Sequence, residues 1–360
     1  MSPVLRTLAT LALLGAAGGG AVVGFGLYDV SARAGHWPIT AWVLHTTFRN
    51  AVELRAPAPS QVPELTDDLL RLGIRHFDGA CRMCHAAPGE ERPATIRAME
   101  PEPPHIAEAV VGWAPNELGW IVREGVKMSG MPGWPAARDD EPWAVVAFLA
   151  RVREMDAATY RELTDPPQVP EGAPPHLGFC AGCHGVDGRS GNPHIPRLDL
   201  QSKGYLNLAL RTYREETRES GIMAQAASAV PEEALPALAE WFAEQAPAPG
   251  GQPTDPALAS RGEALAKARA EDPEVPACVA CHGPEPDPSI PGGPGPEIAG
   301  QYETYLATQL RLWREGTRGG GPRAELMAQA ARHLDDDDIA ALAAWYASLG
   351  PAPRPSDPTR

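Results

Sequence analysis

Apolar and polar positions alternate on a helical period along most of this chain, and the clearest exception is the N-terminus. Residues Thr7 to Tyr28 (TLATLALLGAAGGGAVVGFGLY) carry no charge. Such a run is long enough to cross a bilayer as a helix, although its glycines weaken it. A cleaved signal peptide is the competing reading, with Ala32-Arg33-Ala34 as an A-x-A site. That site lies well past the apolar run, and the run exceeds an ordinary signal core, which favours a retained anchor. With Arg6 on the cytoplasmic side, everything from Asp29 onward would lie outside the inner membrane.

Residues 35–55 (GHWPITAWVLHTTFRNAVELR) predict a second helix opened by Pro38, with Trp37, Trp42, Val43 and Phe48 interspersed with His45 and Arg49. It reads either as an amphipathic helix at the membrane interface or against a partner, or as a plain spacer. APAPSQVP (56–63) follows as an extended linker. Beyond it no strand pattern appears, and the expected fold is all-α. In each later stretch a helix carries or abuts a cysteine motif, a long loop follows, and a closing helix ends the unit. The closing helices are expected at Glu141–Arg153, Glu232–Glu244 and Asp336–Leu349. Each opens with carboxylates (Asp139, Asp140 and Glu141; Glu232 and Glu233; Asp335 to Asp338), read as caps for their own helix rather than as a metal site. Pro-rich segments at 164–175 and 247–256 act as linkers. The expected division is 1–28 anchor or signal, 29–63 interfacial helix and linker, then three domains at 64–163, 164–250 and 251–360.

The last two domains spell the same unit at an offset of 100 residues. Pro196 matches Pro296, Gln201 matches Gln301, Tyr205-Leu206 matches Tyr305-Leu306, and Arg214-Glu215 matches Arg314-Glu315. After a four-residue insertion, Met223-Ala-Gln-Ala-Ala matches Met327-Ala-Gln-Ala-Ala, and Trp241 matches Trp345. This is an internal duplication. The first domain shares the order of features but not their spelling.

The six cysteines fall as Cys81/Cys84, Cys180/Cys183 and Cys278/Cys281, and each pair is followed at once by a histidine: His85, His184 and His282. C-x-x-C-H is the attachment signature of haem c. Two thiols one helical turn apart can each form a thioether to one porphyrin, and the next residue presents an imidazole to the iron. A zinc knuckle or redox dithiol would explain the cysteines but not the repeated histidine. The expected cofactors are therefore three covalently bound haem c groups, and bacterial haem c attachment agrees with export to the periplasm.

Whether each haem carries electrons or binds small molecules turns on the sixth iron ligand. Met131 lies 46 residues after its histidine in VKMSGMPGW, with Met128 as competitor; Met223 lies 39 after His184, and Met327 lies 45 after His282. Repeat-matched spacing and the scarcity of methionine (8 in all) set these apart from core filler. The remaining histidines, His36, His45, His76, His105, His176, His194 and His333, recur in no common place and read as loop or surface residues; His194 and His333 fall between a haem motif and its domain end.

Through these residues the three domains resemble class I cytochrome c. GNPHIPRL (191–198), GQYETYLATQLRLWREG (300–316) and LMAQAARHLDDDDIAALAAWYA (326–347) are similar to the two-haem cytochrome c4 family. That resemblance implies two domains packed about a pseudo-twofold axis with their haems close together. The second domain departs from it at Asp199-Leu200, where the third has Ala299-Gly300. The first, with its anchor and HWPITAWVLH, resembles membrane-anchored single-haem bacterial cytochromes.

Composition narrows the partners. With 31 basic and 46 acidic residues the formal charge is −15, which disfavours nucleic acid and favours basic protein partners. The expected activity is electron transport in a bacterial respiratory chain, without catalysis by this chain. The resemblance to these cytochromes implies a quinol-oxidising complex or dehydrogenase as donor, and a terminal oxidase or soluble carrier as acceptor. Two alternatives are the cytochrome subunit of a membrane-bound alcohol or sugar dehydrogenase, and a haem peroxidase with one open iron.

Overall fold

The computed structural model describes residues 2–127, 129–250, 255–268, 277–283, 295–321 and 323–351. Met128 lies outside the described residues. Among those described the fold is all-α, with one isolated antiparallel bridge between Arg218 and Gly319.

Helix α1 (Pro3–Gly24) is capped by Ser2, whose hydroxyl accepts from the Leu5 amide, and carries proline in its first turn. Its 22 residues span about 33 Å, none of them is buried, and an 18-residue stretch of it has a mean hydropathy of 1.6. Length and composition suit a membrane span, and a signal sequence meets the same two tests. Helix α2 (Pro38–Arg55) also begins at a proline and buries Val52. It is fastened by Phe48, edge-on to Trp113 at 5.4 Å, and by Arg49 over the same indole at 4.7 Å. Ile39, Trp42 and Val43 stay exposed on its outer side.

The first unit holds α3 (Asp67–Ala80), α4 (Arg82–His85), α5 (Ala94–Arg97), α6 (Ile106–Ala109), α7 (Pro115–Glu124), α8 (Pro142–Leu149) and α9 (Ala157–Thr164). Thr66 caps α3 by accepting from the Leu69 amide, and Asp67 and Asp68 complement its dipole. The helix crosses α8 at Gly73, where a Cβ would lie 1.8 Å from the Ala144 carbonyl oxygen. Only glycine allows this approach, and it seats Leu70, Ile74 and Phe77 against Val145, Val146, Phe148 and Tyr160.

The third unit repeats the device. Its α14 (Pro256–Lys267) crosses α18 (Asp336–Ser348) at Gly262, where a Cβ would stand 1.9 Å from the Ala341 carbonyl oxygen. Between them lie α15 (Cys278–His282), α16 (Glu303–Glu315) and α17 (Ala324–Ala331), over a core that includes Ala266, Leu306, Leu342 and Trp345.

The second unit has no such crossing. It consists of α10 (Leu177–His184), α11 (Lys203–Arg214), α12 (Gly221–Ala229) and α13 (Leu235–Glu244), packed around Leu177, Leu206, Leu238 and Phe242. Less than one turn of α10 precedes Cys180, because Pro174 and Pro175 stand just upstream and cannot continue a helix. The helix expected to carry or abut this motif is present as α10, which holds the whole of Cys180–His184 but extends only three residues ahead of it.

Two closing helices also differ from expectation. The first stops at Leu149 and continues as a 3₁₀ turn over Val152–Glu154. The second is a 3₁₀ turn at Glu232–Ala234 before α13, since Pro236 is tolerated only in a first turn. Asp335 caps α18 as read, accepting from the Asp338 amide at 2.7 Å. Glu141 makes no cap bond to α8 at all.

The second and third units meet by reciprocal exchange. Gln301 accepts from the Arg197 amide at 2.9 Å and donates to the Arg197 carbonyl at 3.1 Å. Gln201, its repeat counterpart, donates to the carbonyl of Glu297, the counterpart of Arg197, at 2.6 Å. Matched residues contacting each other's counterparts are the mark of a pseudo-twofold interface.

Candidate functional site

Between the second and third units lies a continuous cavity of about 1100 Å³. It exceeds the roughly 300–1,000 Å³ typical of a site for one small ligand. Cys180, Cys183, His184 and Met223 line it from the second unit, and Cys278, Cys281, His282 and Met327 from the third. Thus the structure brings both repeat-matched sets into one space. Met223 stands in the first turn of α12, its amide bonded to the Ser220 hydroxyl oxygen at 3.1 Å; Met327 stands in α17.

Each motif histidine is held in the same way. Nδ1 lies 2.8 Å from the Pro104 carbonyl in His85, 3.2 Å from that of Pro196 in His184, and 3.0 Å from that of Pro296 in His282. A carbonyl can only accept, so Nδ1 carries the proton and Nε2 is left with its lone pair. Burial holds His184 down to about 4 despite the Pro196 carbonyl, and lowers His85 and His282 also. Neutral imidazole with a free Nε2 is the form that binds iron. Gly295 permits the contact in the third unit, since a Cβ there would lie 2.4 Å from the His282 ring. Burial pushes the Cys81 and Cys180 thiols up to about 11, so both are held protonated in the protein alone.

The first unit's set lies outside this cavity. Cys81, Cys84 and His85 are partly buried on α4 and just before it. Met131 is half-buried on a loop fastened to α7: Val126 donates to its carbonyl at 3.1 Å, and Trp134 donates its backbone amide to Arg123 at 2.8 Å.

The cavity is a poor fit for a neutral ligand and a good one for haem. Arg218 and Arg318, 5% and 7% exposed, both line it. Arg218 donates to the hydroxyls of Tyr205 at 3.2 Å and Tyr305 at 3.3 Å and stacks over Tyr213; Arg318 donates to Gln309 at 3.0 Å and stacks over Trp313. Burial and the neighbouring Arg218 lower Arg318, and although burial would raise Tyr205, the two arginines bring it down to about 8. Neither guanidinium has a carboxylate partner among the described residues. Among the described residues the Tyr346 hydroxyl and Gln201 Oε1, also at the cavity wall, have no hydrogen-bond partner. A porphyrin carrying two carboxylates matches the apolar walls, the two guanidiniums and the Tyr346 O–H.

Four residues of the site carried no such role in the sequence reading. Asp199 is fully buried and binds Arg197 through two bonds of 2.9 and 2.6 Å, while Arg197 reaches the Gly300 carbonyl at 2.9 Å. The departure from the repeat at that position is therefore the counter-ion of an interface arginine. His76 is buried against Trp134, ring centroids 4.8 Å apart, and also lines the cavity, as does half-buried His194. Glu141, read as a cap for α8, instead points into the second unit. His45, His176 and His333 are exposed, His105 caps α6, and His36 bonds the Tyr28 hydroxyl.

Residues 68–149 match the family described as cytochrome c oxidase, cbb3-type, subunit III, and residues 259–350 match cytochrome c. A thiosulfate dehydrogenase electron acceptor of Stutzerimonas stutzeri is 36% identical over 58% of this chain and 94% of its own length. Cytochrome c4 of Pseudomonas aeruginosa is 33% identical over 47% of this chain and 83% of its own. The crystal structure of cytochrome c4 from Pseudomonas stutzeri is 31% identical, covering 48% of this chain and 94% of that one, with a TM-score of 0.43. The chain is thus a c-type cytochrome and belongs to the family that includes cytochrome c4.

Proposed function

We propose that this chain is an exported, membrane-anchored electron carrier with three haem c groups in three cytochrome domains. Cys81 and Cys84, Cys180 and Cys183, and Cys278 and Cys281 would hold the porphyrins. His85 and Met131, His184 and Met223, and His282 and Met327 would be the axial pairs. The observation that carries the reading is the recurrence of one device, a prolyl carbonyl (Pro104, Pro196, Pro296) fixing the Nδ1 tautomer beside each C-x-x-C-H. Bound haem supplies the one-electron couple; histidine–methionine ligation raises its potential. The chain's own residues orient the imidazoles, exclude water, and place Arg218 and Arg318 where they favour the more negative, reduced state of a nearby centre.

Helix α1 would tether the haem domains outside the inner membrane, with α2 lying along its surface through Ile39, Trp42 and Val43. Relatives named as thiosulfate dehydrogenase electron acceptors support a dehydrogenase as donor. A terminal oxidase or a soluble carrier would then take the electrons. The test is purification from membranes with haem quantitation and redox titration. Three haem c per chain, all low-spin and reducible by a thiosulfate-oxidising partner, is the expected result. A high-spin centre at rest would instead favour peroxidase-type chemistry, and a tightly co-purifying alcohol or sugar dehydrogenase would identify a complex subunit.

A further inference from the structure

The buried carboxylate of Glu141 serves a unit other than its own. It is 6% exposed, and its oxygens accept from the Ser220 hydroxyl, from the Gly221 amide at 2.7 Å, from the Ile222 amide at 3.4 Å, and from the Trp134 indole N–H at 3.2 Å; Arg138 pairs with it at 3.0 Å. Gly221 and Ile222 are the first residues of α12, whose amides have no partner within the helix. The same Ser220 hydroxyl accepts from the Met223 amide at 3.1 Å. Glu219 adds a second tie, accepting from the Ala137 amide at 2.7 Å. Trp134 lies flat against the start of α12, where a Cβ on Gly221 would meet its indole nitrogen at 2.3 Å.

We propose that Glu141 of the first unit is a positioning residue for the second haem: by clamping the N-terminus of α12 it fixes where Met223 stands. The proposal rests on the reading of Met223 as axial ligand. A negative charge at this end of the helix is favoured by the dipole, and its bonds leave the first turn one way to lie. The position and strain of an axial thioether set the iron–sulfur bond, and with it the potential. The third unit offers an internal control. Its α17 (Ala324–Ala331), which carries Met327, has the cation Arg323 at the cap position where α12 has Ser220 and Glu141. Docking of the first unit therefore tunes the second centre and not the third. Trp134 closes the same Met131–Pro132–Gly133–Trp134 run that presents the first unit's methionine, so a single carboxylate joins the two methionine-bearing segments.

The test uses the full-length, haem-loaded protein with Glu141→Ala and Glu141→Gln. The readouts are the long-wavelength methionine–ferric haem charge-transfer band and the separate midpoint potentials. The expected result for Glu141→Ala is a lowered potential and a weakened band at the Met223 centre, with the Met327 centre unchanged; Glu141→Gln, which keeps the shape, gives a smaller shift at the same centre. Met223→Ala identifies that centre. If Met223→Ala leaves every band intact, the ligand assignment fails. If it abolishes one band while Glu141→Ala shifts none, the ligand stands and the positioning role is overturned. Should Glu141→Ala fail to load haem, Ser220→Ala and Trp134→Phe each remove one link of the clamp. A shift at the Met223 centre in either supports the proposal, and none in both overturns it.

Discussion

The second and third units descend from one duplicated sequence, yet they close their cavity walls by different means. The third has a full N-terminal helix, α14, locked on α18 through Gly262. The second has a proline pair where that helix would run, and α10 begins just ahead of Cys180. In its place stands α3 of the first unit, whose Leu69, Leu72, Arg75, His76 and Gly79 line the cavity. Asn192 donates to the Asp68 carbonyl at 2.6 Å, which fastens the borrowed wall to the second unit, while Arg75 donates to the Thr164 carbonyl at 2.8 Å and ties α3 to α9 within the first. The third unit is self-contained; the second depends on neighbours at both sides.

The strongest test of that dependence is the contact it makes with the third unit. Asp199→Ala would strand the buried Arg197 guanidinium at 5% exposure. Breaking such a pair costs about 3–5 kcal/mol. Urea unfolding followed by circular dichroism and haem absorbance should show the second and third units parting first. Leu at both positions should regain most of the loss, since two apolar side chains strand no charge. A cost under about 1 kcal/mol for Asp199→Ala would mean that the second unit stands without this neighbour.

His76, on the borrowed wall, should make that wall sensitive to acid. Burial holds its imidazole down to about 4, against 6.5 when free. Below pH 6.5 the unfolded chain takes up a proton that the folded chain refuses, so stability is full above that pH and falls as pH drops toward 4. The linked loss is on the order of 3 kcal/mol over that interval. His76→Phe, which keeps the contact with Trp134, should flatten the slope; an unchanged slope would remove His76 as its source.

How much of this was legible depends on the range of the contact that carries it. The cysteines and histidines of each motif are neighbours in sequence, so Cys180, Cys183 and His184 announce their chemistry without a fold. The repeat made Met223 and Met327 visible by comparison of one half with the other. Glu141 was misread because a carboxylate ahead of an apolar run satisfies the capping pattern locally, whereas its partners Ser220 and Gly221 lie about eighty positions away. Asp199 showed only as a departure from the repeat, since the arginine it neutralises is buried by an interface that no periodicity reveals. The proline pair before Cys180 was plain as a linker. That another unit's helix would take the missing one's place depends on which faces meet in three dimensions.

A smaller effect should distinguish the self-contained unit. Gly262→Ala places a methyl 1.9 Å from the Ala341 carbonyl oxygen, so α14 must lift off α18. Overpacking of this kind costs about 1–3 kcal/mol. The loss should appear in the third unit and leave the first unit's unfolding midpoint unchanged. Gly178→Ala in α10 meets nothing nearer than 3.6 Å and should stay within about 0.5 kcal/mol. Equal costs at the two glycines would erase the difference between the units.

The finest test compares two helix caps. Thr66 caps α3, and Asp255 caps α14 by accepting from the Ala257 amide at 2.9 Å and the Leu258 amide at 3.1 Å. Replacing either with alanine costs about 1 kcal/mol at its own helix. The consequences should differ in reach. Fraying at α14 exposes its own unit alone, so Asp255→Ala should speed amide exchange in α14 and leave α10 and α12 protected. Fraying at α3 displaces Leu69 and Leu72 from the second unit's cavity, so Thr66→Ala should speed exchange in α3 and in α10 and α12 as well. Hydrogen exchange read helix by helix decides it. If Thr66→Ala leaves α10 and α12 as protected as before, α3 merely rests against the second unit and does not serve as its wall.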